Sequence, residues 1–288
     1  MNIQCAICKN DLKNQVSKWS YFCDACNYWR ADLTPKISDN QDHIFDEERG
    51  DRDVISFLNP IRIINFNQIL DYVEDNIGGK LCILDVGCAS GLFMQLASER
   101  GNIVYGVEPN PVMQSAAIIK NLNVVKGYFP GDINKNIQYD AIIFNDVLEH
   151  IPDINFILEA CYKCLPENGA LIINIPNSDG LLFRIAKLMA NFHFYGPWNR
   201  LWQTMFYTPH LHYFNPSSLA LLAKKHNFKI TLKKYELESF ELKGLWKRIS
   251  VDISNSIFKN LIIYTGTLLI YPLVKIMPRD SFFAVFTK

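Results

Sequence analysis

Residues 80–91 read KLCILDVGCASG, an apolar run that ends at Asp85 and leads into a turn with Gly87 and Gly91. The apolar run predicts a buried strand, and the following LFMQLASERG predicts a helix that ends at Gly101. Glycines permit a tight turn and a close approach of the backbone to a ligand, and the start of the next helix favours negative charge. This strand–turn–helix unit decides the fold because the segments that follow repeat it.

Beyond this unit, β-branched runs alternate with helical stretches. The predicted strands read NIVYGVEP, NVVKGYF, YDAIIFN and ALIINIPN, and helical patterns such as PVMQSAAIIKNL and NFILEACYKCL lie between them. The alternation predicts an α/β fold with a Rossmann-like, mostly parallel sheet and helices on both faces. Ligands of such sheets bind outside the carboxyl ends of the strands, so the polar residues that close each strand are the candidate site.

Glu108 closes the second predicted strand, about 20 residues beyond the glycine turn. A carboxylate at this position can accept both ribose hydroxyls of a nucleoside, so the turn and Glu108 together predict an adenosine-containing cofactor. A dehydrogenase is the alternative for the glycine turn. Its G-x-G-x-x-G fingerprint fails here, because Ala89 stands in place of the second glycine and the third is absent.

Four stretches of the chain resemble a known family. ILDVGCASGLF resembles motif I of class I S-adenosylmethionine-dependent methyltransferases, and YDAIIFNDVLEHIPD resembles a later motif of their small-molecule branch. LEACYKCLPENGALIINIPN and PHLHYFNPSSLALLAKKHNF are similar to further stretches of that branch, so the resemblance covers roughly residues 60–237. It implies a methyltransferase that uses S-adenosylmethionine.

The resemblance also implies which residues bind the cofactor. They are Asp85, Gly87, Ala89 and Gly91 around the methionine part, Glu108 at the ribose, Tyr128 and Phe129 beside the adenine, and Asn145 and Asp146 at the sulfonium centre. Alanine instead of glycine at position 89 departs from the family pattern, and a methyl group there predicts a modest effect on cofactor affinity.

Three histidines are candidate catalytic residues. Methyl transfer needs a positioned acceptor and the removal of its proton, and an imidazole suits a general base toward a hydroxyl or amine. His150 follows the later motif directly, and the alternative is that it packs at the start of the next helix. His210 and His212 are second candidates, on one side of an extended segment, with loop packing as their alternative. The aromatic-rich residues 177–227 predict a substrate cap.

Four cysteines near the N-terminus form two C-x-x-C pairs, Cys5 with Cys8 and Cys23 with Cys26. Two such turns suit tetrahedral Zn²⁺, and four protein ligands leave no open position, so we predict a structural zinc ribbon. A thioredoxin-like redox pair is the alternative. Cys161 and Cys164 repeat the spacing on one helix face, where packing as small apolar residues is favoured over metal binding.

These observations predict three units: a zinc-ribbon-like module at 1–36, a linker and covering helix at 37–79, and a methyltransferase domain at 80–288. The charged residues 37–58 predict a linker. Residues 241–279 predict an apolar helical insertion whose basic flanks suit peripheral contact with a membrane. Packing on the sheet or in a homodimer is the alternative for this insertion.

Composition limits the partners. The 288 residues contain 29 Lys and Arg against 29 Asp and Glu, and this neutral balance argues against a protein that binds nucleic acid through a basic face. We therefore expect a small-molecule acceptor, first a sugar hydroxyl or amine in glycan biosynthesis and second a lipid or quinone hydroxyl. An RNA methyltransferase and a non-catalytic adaptor that binds the cofactor are further alternatives. The start, MNIQCAICKN, has no secretory signal, so we expect a cytoplasmic location, with contact at the inner face of the membrane as the variant.

Overall fold

The computed structural model describes residues 3–35, 44–238, 246 and 257–288. The strands are, in chain order, β1 (Lys13–Asn14), β2 (Ser20–Cys23), β3 (Tyr28–Ala31), β4 (Cys82–Val86), β5 (Ile103–Glu108), β6 (Asn123–Lys126), β7 (Ala141–Asn145), β8 (Ala170–Pro176), β9 (His212–Tyr213), β10 (Lys229–Leu237) and β11 (Ser281–Thr287). The helices are α1 (Ile44–Asn76), α2 (Leu92–Glu99), α3 (Pro111–Ile119), α4 (Ile154–Cys164), α5 (Leu181–Asn191), α6 (Gly196–Leu201), α7 (Pro216–Lys225) and α8 (Ile257–Ile276).

A seven-stranded sheet with the order β10-β11-β8-β7-β4-β5-β6 forms the centre of the molecule. Strands β8, β7, β4, β5 and β6 run parallel, while β11 pairs antiparallel with β8 and β10 pairs antiparallel with β11. From β4 the chain adds β5 and β6 on one side of the sheet, and it then returns to add β7 on the other side of β4. The carboxyl ends of β4, β5 and β7 therefore meet at the switch point where such sheets bind ligands. The predicted Rossmann-like fold is confirmed.

Both faces of this sheet are covered, which explains why its strands are apolar throughout. In β7, Ile142 and Phe144 pack into one hydrophobic core, while Ala141 and Ile143 pack into the core on the other face. Successive side chains of a strand point to opposite faces, so a strand covered on both sides needs an uninterrupted apolar run. Helix α1 contributes to the second core through residues such as Ile69, which is fully buried.

A second, small sheet has the strand order β1-β2-β3-β9. Its first three strands come from the N-terminal residues 3–35, which we call the four-cysteine module. Its fourth strand comes from far along the chain, with Trp29 opposite Tyr213 and Arg30 opposite His212. The predicted unit boundary at residue 36 lies outside the described residues, and the division into three units stays a prediction.

The structure describes part of the predicted linker and part of the predicted insertion. Helix α1 begins at Ile44, so the linker predicted over residues 37–58 is shorter than expected. Dense charges of both signs suit a solvated helix as well as a linker, and the composition did not distinguish the two. Of the predicted insertion at 241–279, the described part contains α8, and residues 241–245 and 247–256 lie outside the described residues. Neither α8 nor any other described helix has both the length and the apolar character needed to cross a bilayer.

Candidate functional site

The turn after β4 is built from residues in the left-handed region. Gly87 has φ 69°, Ala89 has φ 47° and Gly91 has φ 79°. A side chain at Gly91 would bring its Cβ within 2.2 Å of Leu122 Cδ1, so Leu122 would have to move, and the left-handed φ would add strain to any other residue. Ala89 adopts the same backbone conformation as its glycine neighbours although it carries a Cβ. The departure from the family pattern thus leaves the course of the turn intact, at the cost of some local strain.

Glu108 holds this turn against the end of β5. Its Oε2 accepts a hydrogen bond from the Ala89 amide at 2.8 Å, and its Oε1 accepts one from the Asn110 amide at 2.8 Å. The Asn110 side chain in turn caps helix α3 by accepting from the amides of Val112 and Met113. Burial raises the pKa of Glu108, and the two amide bonds counteract part of that rise. Each carboxylate oxygen keeps a second lone pair, so Glu108 can still accept hydroxyl donors.

Asp85 and Asn145 lie at the ends of adjacent strands and carry unsatisfied polar atoms. Asp85 is 2% exposed, and burial raises its pKa to about 8. Asp85 Oδ1 and Asn145 Nδ2 are both buried, and neither makes a hydrogen bond of normal geometry among the described residues, although Asn145 is close enough to lower the pKa of Asp85 in part. Buried polar groups in native proteins are nearly always paired, so two orphaned atoms at the switch point fit a polar ligand. A cofactor with an amino acid part and a ribose supplies such groups, and these residues therefore fit S-adenosylmethionine.

The remaining predicted cofactor residues differ in exposure. Tyr128 is 55% exposed, and its amide donates to Asp132 Oδ2 at 2.8 Å. Phe129 is buried and packs edge-on against Phe144, with ring centroids 6.0 Å apart. Asp146 is partly buried in the left-handed region with φ 54°, and burial raises its pKa. Phe129 thus belongs to the core, whereas Tyr128 offers an open aromatic face, and the adenine contact of both stays a prediction.

Two of the three candidate histidines lie together. His150 ends a 3₁₀ turn (Leu148–His150) just after β7, and its ring centroid is 4.7 Å from that of His210. His150 Nδ1 lies 3.1 Å from Pro209 O, and His210 Nδ1 lies 3.1 Å from the Tyr213 hydroxyl. Burial lowers the pKa of both histidines below the ordinary value. Both rings are therefore neutral at pH 7.

Glu149 joins this pair and was not predicted as a site residue. It is fully buried, and neither carboxylate oxygen has a hydrogen-bond partner within the described part of the chain. One ligand atom each of Glu149, His150 and His210 lies within 4.8 Å of the others, and burial raises the pKa of Glu149 well above its ordinary value. A carboxyl group and two imidazoles this close can share a proton or a cation. The sequence signal was the acidic residue directly before His150, four residues beyond the end of the apolar strand β7.

His212 has different partners from His210. Its Nδ1 contacts the Tyr28 hydroxyl and its Nε2 lies 2.9 Å from Ile151 O. The ring is 1% exposed, and burial lowers its pKa to about 3. Both ring nitrogens are thus engaged inside the protein. The structure brings together His150 and His210, and it connects His212 to the four-cysteine module instead.

The four cysteines of the module converge. One sulfur each from Cys5, Cys8, Cys23 and Cys26 lies within 4.8 Å of the others, and Cys8 and Cys23 sulfurs are 3.6 Å apart. Tetrahedral Zn²⁺ with Zn–S bonds of about 2.3 Å places its sulfurs about 3.8 Å apart, so the site fits zinc. The residue after each pair is left-handed, Lys9 with φ 68° and Asn27 with φ 51°, so the two turns share one geometry. Cys161 is fully buried in the main core, as expected for a packing residue.

The predicted cap packs on the module. Trp198 and Trp202 of the α6 region are fully buried, and Trp29 of β3 lies 5.5 Å from Trp198 between ring centroids. Phe192 and Phe194 are 68% and 66% exposed at the other side of the cap. Both tryptophans of the cap therefore belong to a core shared with the module, and exposed apolar side chains remain on the loop after α5.

Known proteins give three comparisons. The sequence profile of a family described as a methyltransferase domain matches residues 29–233. A ubiquinone biosynthesis O-methyltransferase from Bradyrhizobium diazoefficiens is 28% identical over 125 residues, 41% of this chain and 48% of that protein. The mitochondrial ubiquinone biosynthesis O-methyltransferase of Mus musculus is 24% identical over 171 residues, 51% of this chain and 44% of that protein. This chain thus spans about half the length of these curated relatives.

Among solved structures, a SAM-dependent methyltransferase from Archaeoglobus fulgidus is similar, with a TM-score of 0.52 and 19% identity. The match covers 82% of this chain and 99% of that structure. At this identity the likeness concerns the fold alone.

Proposed function

The chain belongs to the methyltransferase-domain family, and from that premise we propose that it transfers a methyl group from S-adenosylmethionine to a hydroxyl of a lipid or quinone-like acceptor. The sequence alone favoured a sugar hydroxyl or amine. The curated relatives favour the other alternative, because they are O-methyltransferases of ubiquinone biosynthesis. The geometry at the carboxyl ends of β4, β5 and β7 is the observation that carries methyl transfer as the activity.

Asp85, Asn145 and Glu108 would hold the cofactor. Asp85 Oδ1 and Asn145 Nδ2 are the orphaned buried atoms, and Glu108 has lone pairs left for the ribose hydroxyls. S-adenosylmethionine, when bound, supplies an electrophilic methyl group on a positively charged sulfur. Carboxyl groups at the strand ends suit this charge, because a nearby cation favours their ionised form.

His150 would remove the acceptor's proton. Pro209 O can only accept a hydrogen bond, so Nδ1 of neutral His150 carries the proton and Nε2 carries a lone pair. The lowered pKa keeps this ring neutral and ready to accept a proton at pH 7. The proton of the acceptor hydroxyl would pass to Nε2 while the oxygen gains the methyl group. His210 would assist by contact with the acceptor or with His150.

Glu149 would be protonated in this arrangement. Tyr213 donates its hydroxyl proton to Leu201 O at 2.9 Å, so it accepts from His210 Nδ1, which leaves a lone pair on His210 Nε2. If Glu149 were ionised, it would be a buried hydrogen-bond acceptor beside two further acceptors, the lone pairs of His150 Nε2 and His210 Nε2, with no donor among the three groups. A raised pKa of Glu149 resolves this conflict, because a protonated carboxyl donates to an imidazole and needs no counter-charge.

The four-cysteine module would bind one structural Zn²⁺. Helix α8 would contact the membrane that contains a lipid acceptor. The support for the membrane contact is a set of exposed apolar side chains on α8, namely Ile257, Phe258, Leu261, Ile262, Leu269 and Ile276. Elemental analysis is expected to give one zinc per chain. Flotation with anionic vesicles is expected to carry the protein, and replacing Phe258 and Ile262 by serine is expected to abolish flotation. A homodimer that buries α8 would instead appear in sedimentation as concentration-dependent mass.

The acceptor test uses methyl-labelled S-adenosylmethionine with three separate pools: a prenylated catechol in vesicles, nucleotide sugars, and RNA. We expect label in the catechol pool, and its loss in His150→Gln. Label in the sugar pool would overturn the acceptor class and leave methyl transfer intact. Cofactor binding without label in any pool would favour the non-catalytic adaptor.

A further inference from the structure

We infer that the four-cysteine module supports the acceptor side of the site, and that Tyr28 and His212 are positioning residues that hold the segments of His150 and His210 in place. This inference rests on the proposed base role of His150. In this inference the module orients the histidines that act on the acceptor, which a zinc-stabilised unit without contacts to the site would not do.

The backbone provides the first link. The Ala31 amide donates to Leu211 O at 2.8 Å, and the Leu211 amide donates to Glu149 O at 2.7 Å. Leu211 therefore lies between the edge of the module's sheet and the 3₁₀ turn that contains His150. Strand β9, which follows it, completes the module's sheet. A displacement of β3 would move both His210 and the turn.

The side chains provide a second link. Ile151 O can only accept, so His212 donates from Nε2, and its Nδ1 accepts the proton of the Tyr28 hydroxyl. Tyr28 is fully buried and lies two residues after Cys26. This chain of hydrogen bonds therefore runs from Tyr28, next to the second cysteine pair, to the residue that follows His150. A neutral imidazole with both nitrogens paired is a connector and has no lone pair left for an acceptor.

Aromatic packing provides a third link, on the side of His210. Trp19 of the module lies 5.6 Å from Trp202, and Trp202 lies 4.8 Å from Tyr213, between ring centroids. Tyr213 accepts the hydrogen bond of His210 Nδ1, as derived above. The tautomer of His210 thus depends on a tyrosine that is packed against the module.

The cofactor side shares a hydrophobic core with the module, which holds Tyr28 and Phe129, but the hydrogen bonds described for Glu108 do not reach the module. The hydrogen bonds of Glu108 go to Ala89 and Asn110, both next to the central sheet. The orphaned atoms of Asp85 and Asn145 lie at the ends of β4 and β7. A disturbance of the module should therefore reach the histidines and leave cofactor affinity unchanged.

Tyr28→Phe tests this separation, with Tyr21→Phe as the matched control. Tyr21 belongs to the same module, but its hydroxyl reaches only Lys18 O at 3.3 Å. The zinc content, the affinity for S-adenosylmethionine by calorimetry and the imidazole NMR signals are measured on each full-length protein. The six histidine signals are assigned with single His→Gln variants.

Tyr28→Phe is expected to keep its zinc and its cofactor affinity within about twofold, and to shift the ring signals of His150 and His210. Turnover at saturating cofactor should fall roughly tenfold or more, as is usual when a supporting hydrogen bond is lost. Tyr21→Phe should change none of these. His150 and His210 signals identical to wild type in Tyr28→Phe would overturn the inference.

His212→Asn covers the case in which Tyr28→Phe does not fold. An asparagine amide can accept from Tyr28 and donate to Ile151 O, so His212→Asn should retain more turnover than His212→Leu. Equal turnover in the two variants would contradict a positioning role for His212. The NMR readout needs no acceptor, so a failure of the proposed acceptor class leaves this test interpretable.

Discussion

The cofactor side and the acceptor side of the site are assembled in opposite ways. The cofactor side uses strand ends between Asp85 and Asp146, and each is followed by the next element of one continuous βαβ succession. The acceptor side joins segments far apart in the chain, and the hydrogen bond from Tyr28 to His212 spans 184 residues. The first arrangement is local and repetitive, whereas the second exists only after the module has docked on the sheet.

The two sides also differ in the titratable groups that would act in them, carboxyl groups for the cofactor and imidazoles beside the carboxyl group of Glu149 for the acceptor. On the cofactor side, burial raises the pKa values of Asp85 and Glu108. On the acceptor side, burial lowers the pKa values of His150 and His210. Desolvation disfavours the charged form in both cases, so the same cause gives opposite shifts for acids and bases. Substitutions on one side should accordingly affect cofactor affinity, and substitutions on the other should affect turnover.

The largest expected effect is on turnover. His150→Gln should lower kcat by roughly 10²- to 10⁴-fold, the usual contribution of a general base, with cofactor affinity unchanged. His226→Gln is the control, because His226 is a partly buried histidine that contacts Asn155 outside the site. Single-turnover kinetics and calorimetry provide the two measurements. A loss of cofactor affinity together with kcat would break the separation between the two sides.

A smaller effect is expected for cofactor affinity. Glu108→Gln replaces one of the two carboxylate oxygens by an NH₂ group, which cannot accept a hydrogen bond. One of the amides of Ala89 and Asn110 then loses its acceptor, and so does one ribose hydroxyl. Affinity for S-adenosylmethionine should fall by roughly 10- to 100-fold, the range of charge-assisted hydrogen bonds of about 1.5–3 kcal/mol. Calorimetry measures this change, and kcat at saturation should stay within about twofold. Glu159→Gln, at an exposed pair with Lys163, is the control and should bind as wild type.

The pH dependence should distinguish the two sides further. A base with a lowered pKa stays neutral to lower pH. The plateau of kcat should therefore extend to a pH below the ordinary histidine pKa of about 6.5, and kcat should fall only at still lower pH. The stability linked to neutral His150 is fully present above that ordinary value, and it is lost as the pH falls from there through the lower pKa of the folded state. Stopped-flow turnover between pH 5 and pH 8 measures the limb, and a midpoint above about 6.5 would contradict the burial effect.

The sequence predicted one side of the site better than the other, for a physical reason. The mostly parallel sheet and the turn with Gly87 and Gly91 follow from local patterns, because each apolar run and each glycine turn is encoded within a few residues. Glu149 was missed, since its importance depends on burial beside His210, which arrives from another part of the chain. The spacing of His210 and His212 predicted a common role, but their partners differ because β9 pairs with the module.

The smallest expected effect concerns a single proton on the cofactor side. With a pKa of about 8, Asp85 is mostly protonated at pH 7 in the unliganded protein. The positive charge of S-adenosylmethionine favours the carboxylate, so binding should release close to one proton per chain. Calorimetry at pH 7 in two buffers with different ionisation enthalpies gives this number, and Asp85→Asn should abolish the difference between them. Equal heats for the wild type would mean that Asp85 does not change its protonation state on binding, which would contradict this prediction. A raised acid pKa also makes the unliganded fold lose stability as the pH rises from about 4 to about 8, and Asp85→Asn should remove that slope.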